Sequence, residues 1–105
     1  MTMTMTAALI AAARFHALAA TAARNGGFWV SAAGGTANVV AGEIARATGA
    51  SYEDAHRALD VTAGEGWYYA LACAQPWPMG AWHDDVPGRW DARTIARAAC
   101  RPVRV

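Results

Sequence analysis

The sequence has no lysine, only two cysteines, and charged side chains at only 16% of its positions. Cys73 and Cys100 fit neither the spacing of a zinc site nor the number that a disulfide framework needs. We therefore expect two buried free thiols, since free cysteines are usually buried. All nine basic side chains are arginines, a usage typical of GC-rich genomes, which indicates a high-GC bacterium or one of its phages.

Recognisable catalytic motifs are also absent from the sequence. It contains no glycine-rich phosphate loop, no nucleophile elbow and no ordered Cys–His–acid set. His83-Asp84-Asp85, with His16 and His56 elsewhere, is a weak candidate for a metal site, because adjacent residues rarely converge on one ion. We predict a protein that is not an enzyme and that has no metal and no cofactor.

A chain of 105 residues is long enough for one domain with its own core. Alanine is the most frequent residue, and each alanine buries little surface. The core is therefore expected to come from five tryptophans, three tyrosines, two phenylalanines and the scattered leucines, isoleucines and valines. Helices in such a thin core must pack closely.

The amino-terminal third contains an apolar segment, residues 7–23, that is similar in composition to a membrane helix. Arg14 and His16 lie at its centre, where a charge is costly in a bilayer, and residues 1–6 contain no basic side chain. We expect a cytoplasmic protein without a membrane segment. Residues 1–6 are predicted to be a disordered tail, and residues 7–105 a single helical domain.

Helical spacing recurs along the rest of the chain and predicts an all-α fold, a compact bundle of four to five short helices. Helices are expected over 7–23, 36–48, 52–62, 67–75 and 91–101. Residues 36–75 form a three-helix core motif. The predicted inner side chains are Ala11, Phe15, Leu18 and Ala22, then Val40, Ile44 and Ala47, then Ala55, Ala58, Leu59 and Thr62, then Tyr68, Leu71 and Ala72, and finally Ala92, Ile95 and Ala99.

A tight turn is predicted between the second and third of these helices. Gly49 supplies either a positive φ or a close crossing, and Ser51 caps the third helix with Asp54 at the capping-box spacing.

Two further segments are candidates for contact with a partner. Residues 76–90 form an irregular loop rich in tryptophan, in which Trp77 and Trp82 either pack on the helices or meet a partner. Arg93, Arg97 and Arg101 recur every four residues on the last helix. They form either a solvated face or a contact for an acidic partner or a phosphate backbone.

Residues 44–59 resemble the helix-turn-helix of lactose-repressor-type regulators, with Ile44-Ala45, Gly49 at the turn and Ser51 opening the second helix. That resemblance implies DNA contacts through Tyr52, Glu53, His56 and Arg57.

Residues 38–75 also resemble the ubiquitin-associated-like three-helix domain of elongation factor Ts, through Thr48-Gly49-Ala50, Asp54-Ala55, Ala58-Leu59 and Gly64-Glu65. This second resemblance implies a protein partner that docks on Gly49, Ala50, Ser51 and Tyr52.

The distribution of charge favours the protein partner. Residues 51–85 carry one arginine against six carboxylates, a poor composition for a segment that must neutralise phosphates. The sequence therefore predicts a small binding module, an adaptor or inhibitor, with a DNA-binding regulator as the alternative. Neither the identity of the partner nor the oligomeric state is specified.

Overall fold

The computed structural model of the protein describes residues 3–24, 35–74 and 92–101. Within these ranges the chain forms five α-helices and no β-strand. The helices are α1 (Met3–Arg24), α2 (Gly35–Thr48), α3 (Tyr52–Ala63), α4 (Trp67–Ala74) and α5 (Ala92–Ala99). The prediction of an all-α bundle of four to five helices is confirmed. The predicted tryptophan-rich loop, with Trp77 and Trp82, lies outside the described residues.

The first helix begins earlier than its sequence suggests. α1 starts at Met3, so the prediction of a disordered tail over residues 1–6 is wrong for residues 3–6. Met5 and Leu9 pack on the core, and the side chain of Thr4 lies beside Gly49 in the turn after α2. These tertiary contacts hold the first turn in a helix although threonine has a low helix propensity.

α1 is the central element of the fold. It contacts all four other helices, whereas α2 also packs on α3 and α5. The substantial contacts of α4 are with α1. The three-helix motif over residues 36–75 therefore shares its core with α1 rather than enclosing one of its own.

Small side chains line the interior of the bundle. Alanines at many helical positions are fully buried, including Ala8, Ala11 and Ala12 in α1. Of the aromatic residues predicted for the core, Tyr52 and Tyr69 are exposed, and four of the five tryptophans lie outside the described residues. The largest fully buried side chains are Phe15, Ile44, Leu59, Ile95 and Val40, with Trp67 and Leu71 nearly buried.

Among the predicted inner residues whose burial the structure describes, three are exposed. Leu18 is 42% exposed, and the buried position of that turn is Ala19. Ala47 and Thr62, at the ends of α2 and α3, are also exposed. Which side of a helix is buried depends on where its neighbours lie, and helical spacing alone does not specify this.

The turn between α2 and α3 has the predicted geometry. Gly49 has φ +79°, and its N–H donates to the carbonyl of Ala45 at 2.9 Å. A Cβ at Gly49 would meet the side chain of Thr4 at an ordinary 3.7 Å, so the left-handed backbone and not crowding is what requires glycine.

The window Thr4–Ala22 is long and apolar enough to cross a membrane by length and composition alone. The core helix of a soluble protein and a signal sequence pass the same test. In this structure Ala8, Ala11, Ala12, Phe15 and Ala19 of that window are fully buried in the core.

Two glycine substitutions test the turn. Gly49→Ala places a side chain at positive φ and should lower the free energy of unfolding by about 1 to 2 kcal/mol. Gly42→Ala is the matched control: Gly42 lies inside α2 with nothing near its missing Cβ, so it should raise stability by about 0.5 to 1 kcal/mol. Urea unfolding measures both. A Gly49→Ala protein as stable as Gly42→Ala would contradict the left-handed turn.

Candidate functional site

The turn between α2 and α3 leads into an ordered helix start. Ser51 is the N-cap of α3, and its side-chain oxygen accepts from the backbone N–H of Asp54 at 3.0 Å. Ala50 is buried, whereas Gly49, Ser51 and Tyr52 are exposed. Three of the four residues of the predicted docking loop, Gly49, Ser51 and Tyr52, are therefore accessible to a partner.

Tyr52 stands at the start of a broad concavity on the outer side of α3. Its side chain is 48% exposed, and its ring meets that of His56 edge-on, with centroids 4.6 Å apart. Val61, 68% exposed, contributes a second apolar side chain. The concavity, about 890 Å³ in volume, is called the α3 concavity below; it is lined by Tyr52, Glu53, His56, Arg57, Asp60, Val61 and Glu65.

The α3 concavity is acidic. Glu53, Asp60 and Glu65 contribute three carboxylates against the single guanidinium of Arg57. That guanidinium lies 3.0 Å from a carboxylate oxygen of Asp54, one turn earlier in α3. The residues that the helix-turn-helix resemblance assigns to DNA contact are thus adjacent, but the surface around them carries the same sign of charge as phosphate.

A second charged site lies where α2 meets α5, and it is centred on a buried carboxylate. Glu43 is 8% exposed, and three guanidiniums surround it. Nη1 of Arg46 and Nε of Arg93 each lie 3.5 Å from Oε1, and Nε of Arg97 lies 3.4 Å from Oε2. A buried carboxylate is costly without such partners, so these contacts keep Glu43 stable inside the fold.

This cluster gives the predicted arginine stripe of α5 a role within the chain. Arg93 and Arg97 join α5 to α2 through Glu43, while Arg101 follows the end of the helix and is exposed. The backbone carbonyl of Arg101 accepts from Nη1 of Arg14 at 3.5 Å. Arginine near a helix C-terminus stabilises the carbonyls that the helix leaves unpaired.

Glu43 is the residue that sequence reasoning missed. It follows the buried Val40 by three positions, and this spacing puts it on the inner side of α2. An acidic residue on an inner face predicts a basic partner across the interface. The identity of that partner depends on how α5 docks, which the sequence does not specify.

His16 lies at the junction of α1, α3 and α4 and makes structural contacts. Its Nε2 is 3.0 Å from the carbonyl of Leu59, and its ring meets those of Phe15 and Trp67 edge-on. Burial lowers the pKa of the imidazole below its ordinary value of 6.5, although the hydrogen bond to Leu59 and the charge of Asp60 offset part of this effect. His16 is therefore suited to remain neutral near pH 7 and to donate from Nε2.

Of the other candidate ligands, His83, Asp84 and Asp85 lie outside the described residues. Within residues 3–24, 35–74 and 92–101, no group of three or more His, Cys, Asp or Glu side chains is placed to hold a metal ion. Both cysteines are free, but Cys73 is exposed, so the expectation of two buried thiols is wrong for Cys73. Burial and the charge of Glu43 raise the pKa of the Cys100 thiol, which the charge of Arg14 partly opposes.

The chain matches no protein-family model, and no curated protein or solved structure is significantly similar to it. The resemblances to the ubiquitin-associated-like domain and to the repressor helix-turn-helix therefore stay predictions. What the structure defines is the class: a small all-α bundle with an acidic concavity on α3 and an arginine-rich site between α2 and α5.

The lowered pKa of His16 predicts how stability changes with pH. Below about pH 6.5 the unfolded imidazole takes up a proton more readily than the folded one, so the free energy of unfolding should fall as the pH drops through that value. His16→Gln keeps an amide donor for Leu59 but does not titrate. Urea unfolding between about pH 7 and pH 5 should show a smaller decline for this variant than for the wild type. Equal declines would contradict the role assigned to His16.

Proposed function

We propose that this protein is a small, non-enzymatic binding module that docks a protein partner in the α3 concavity. The observation that carries the proposal is the exposed Tyr52 ring beside the accessible turn residues Gly49 and Ser51. Large exposed aromatic side chains are the residues that most often supply the binding energy of an interface. An adaptor and an inhibitor of a larger enzyme both use such a surface.

Tyr52 is suited to act as an anchor because its ring is already positioned. The edge-on contact with His56 and the capped helix start restrict the ring before a partner arrives. A side chain that is ordered in the free protein loses less conformational entropy on binding. Val61 then extends the apolar contact along the same helix.

The charge of the α3 concavity specifies the kind of partner. Three carboxylates, of Glu53, Asp60 and Glu65, remain largely unneutralised, because Arg57 is engaged with Asp54. A protein segment that carries lysine or arginine around an apolar side chain would complement this surface in both charge and shape. Such complementarity accelerates association and excludes acidic partners.

DNA binding is the alternative, and one observation favours it. The turn between Thr48 and Tyr52 has the length found in helix-turn-helix motifs. The acidic surroundings of Arg57 oppose it, because affinity for a duplex depends chiefly on neutralised phosphates. The protein partner is therefore preferred.

The proposal also includes the cellular location of the protein and the kind of organism that encodes it. We infer a cytoplasmic protein of a high-GC bacterium or phage, without cofactor. The use of arginine for every basic side chain supports a high-GC source. The buried alanines of α1 support a soluble bundle.

Two tyrosine variants test the docking surface. Tyr52→Ala should weaken partner binding roughly thirtyfold, the effect of losing about 2 kcal/mol at an interface anchor. Tyr69→Ala is the matched control, because Tyr69 is 53% exposed but lies on α4, outside the α3 concavity. Affinity purification from a high-GC bacterial lysate, quantified by mass spectrometry, identifies proteins that wild type and Tyr69→Ala retain and Tyr52→Ala loses. Titration of the purified candidate then gives the change in Kd.

Two outcomes would overturn this assignment. If Tyr52→Ala and Tyr69→Ala retain the same proteins with the same affinity, the partner does not dock at Tyr52. If the wild type instead protects a specific duplex sequence, and Arg57→Ala reduces the salt dependence of that binding by about one unit, the DNA alternative is correct.

A further inference from the structure

The site between α2 and α5 contains more positive charge than its buried carboxylate needs. One guanidinium suffices to neutralise Glu43, yet Arg46, Arg93 and Arg97 all lie within 3.5 Å of it. Arg101 lines the same surface one turn beyond Arg97. These four arginines are called the arginine cluster below.

The partial negative charges at the C-termini of α2 and α5 do not neutralise this excess of positive charge. Each helix C-terminus contributes about half a negative charge, so α2 and α5 together contribute about one. With Glu43, the local negative charge is about two, against four guanidiniums. The arginine cluster therefore keeps a surplus of positive charge, which favours an anion. Arg93 contributes part of this surplus from outside the concavity that Arg46, Arg97 and Arg101 line.

The contacts with Glu43 also leave hydrogen-bond donors available. Arg93 and Arg97 reach the carboxylate through Nε, and Arg46 reaches it through Nη1. A guanidinium has further N–H groups in a planar fork that suits phosphate oxygens. Glu43 thus fixes the positions of the arginines without using all their donors.

A concavity of about 290 Å³ adjoins these groups. It is lined by Glu43, Arg46, Ala47, Arg97, Cys100 and Arg101, and it shares no residue with the α3 concavity. The volume suits a phosphate, a pyrophosphate or a small phosphomonoester rather than a folded macromolecule.

We propose that the arginine cluster binds a small phosphate-bearing ligand at the junction of α2 and α5. Glu43 is the positioning residue, and Arg46 and Arg97 supply the donors that contact the phosphate oxygens. Binding joins two helices, so the ligand should also stabilise the fold.

The test is calorimetric titration of the wild-type protein with inorganic phosphate, pyrophosphate and glycerol phosphate, with acetate as the monoanionic control. We expect phosphate or its derivatives to bind in the millimolar range or tighter, pyrophosphate at least as well as phosphate, and acetate much more weakly. Arg46→Ala should weaken binding about tenfold, since it removes charge-assisted hydrogen bonds without breaking the contacts between α2 and α5. Preference for glycerol phosphate would indicate a phosphomonoester as the source of the group, and preference for the inorganic anions would indicate a free phosphate.

The matched control is Arg24→Ala, an exposed arginine at the end of α1 whose Nη2 donates to Oγ1 of Thr21 at 3.4 Å. It removes the same charge elsewhere and should leave phosphate binding unchanged. Arg97→Ala is the second variant, with a thermal melt to verify that α5 remains docked, and it should weaken binding as Arg46→Ala does. The proposal is overturned if the wild type does not bind these anions, if acetate binds as well as phosphate, or if Arg24→Ala and Arg46→Ala lose affinity equally.

Discussion

The packing of α1 against every other helix is the constraint on which the rest of the structure depends. One helix can contact four neighbours only if its side chains are small on several sides, and buried alanines at positions 8, 11, 12 and 19 provide this. Phe15 supplies the bulk in the middle of the helix. The same composition makes α1 apolar enough to resemble a membrane span, and 33% of that window is buried inside the bundle.

A core rich in alanine buries less apolar surface per residue than one rich in leucine. Polar contacts therefore do more to determine how the helices dock on one another. The effect is clearest at α5, which has only eight residues and would be unstable alone. Ile95, Ala96 and Ala99 bury its apolar side, and Glu43 binds its arginines. The contacts that dock α5 and the surface proposed to bind phosphate are therefore made by the same side chains.

The packing of the bundle also explains why the outer side of α3 is an exposed acidic surface with two apolar side chains. α3 buries Ala55, Ala58 and Leu59 against α1 and α2. Its outer side keeps Tyr52 and Val61 in contact with solvent, in a concavity whose charge is acidic. Because the two charged surfaces lie on different elements, a partner on α3 and an anion between α2 and α5 need not compete.

Features set by neighbouring residues could be predicted from the sequence, and features set by distant ones could not. Ser51 as a cap and Gly49 at positive φ depend on local backbone geometry, and both are as predicted. Leu18 was predicted to be buried and is exposed, and the burial of Glu43 was not predicted, because both depend on where other helices dock. The accessibility of Tyr52, on which the candidate site depends, likewise follows from the fold and was only a hypothesis from the sequence.

Native-state hydrogen exchange tests the central position of α1 most directly. Amides in the middle of α1, around the fully buried Phe15, should exchange only through global unfolding, because α1 is in contact with every other helix. Amides of α4, whose substantial contacts are with α1 alone, should exchange faster. The central position of α1 is contradicted if its middle exchanges faster than α3 or as fast as α4, since the other helices would then form the core without it.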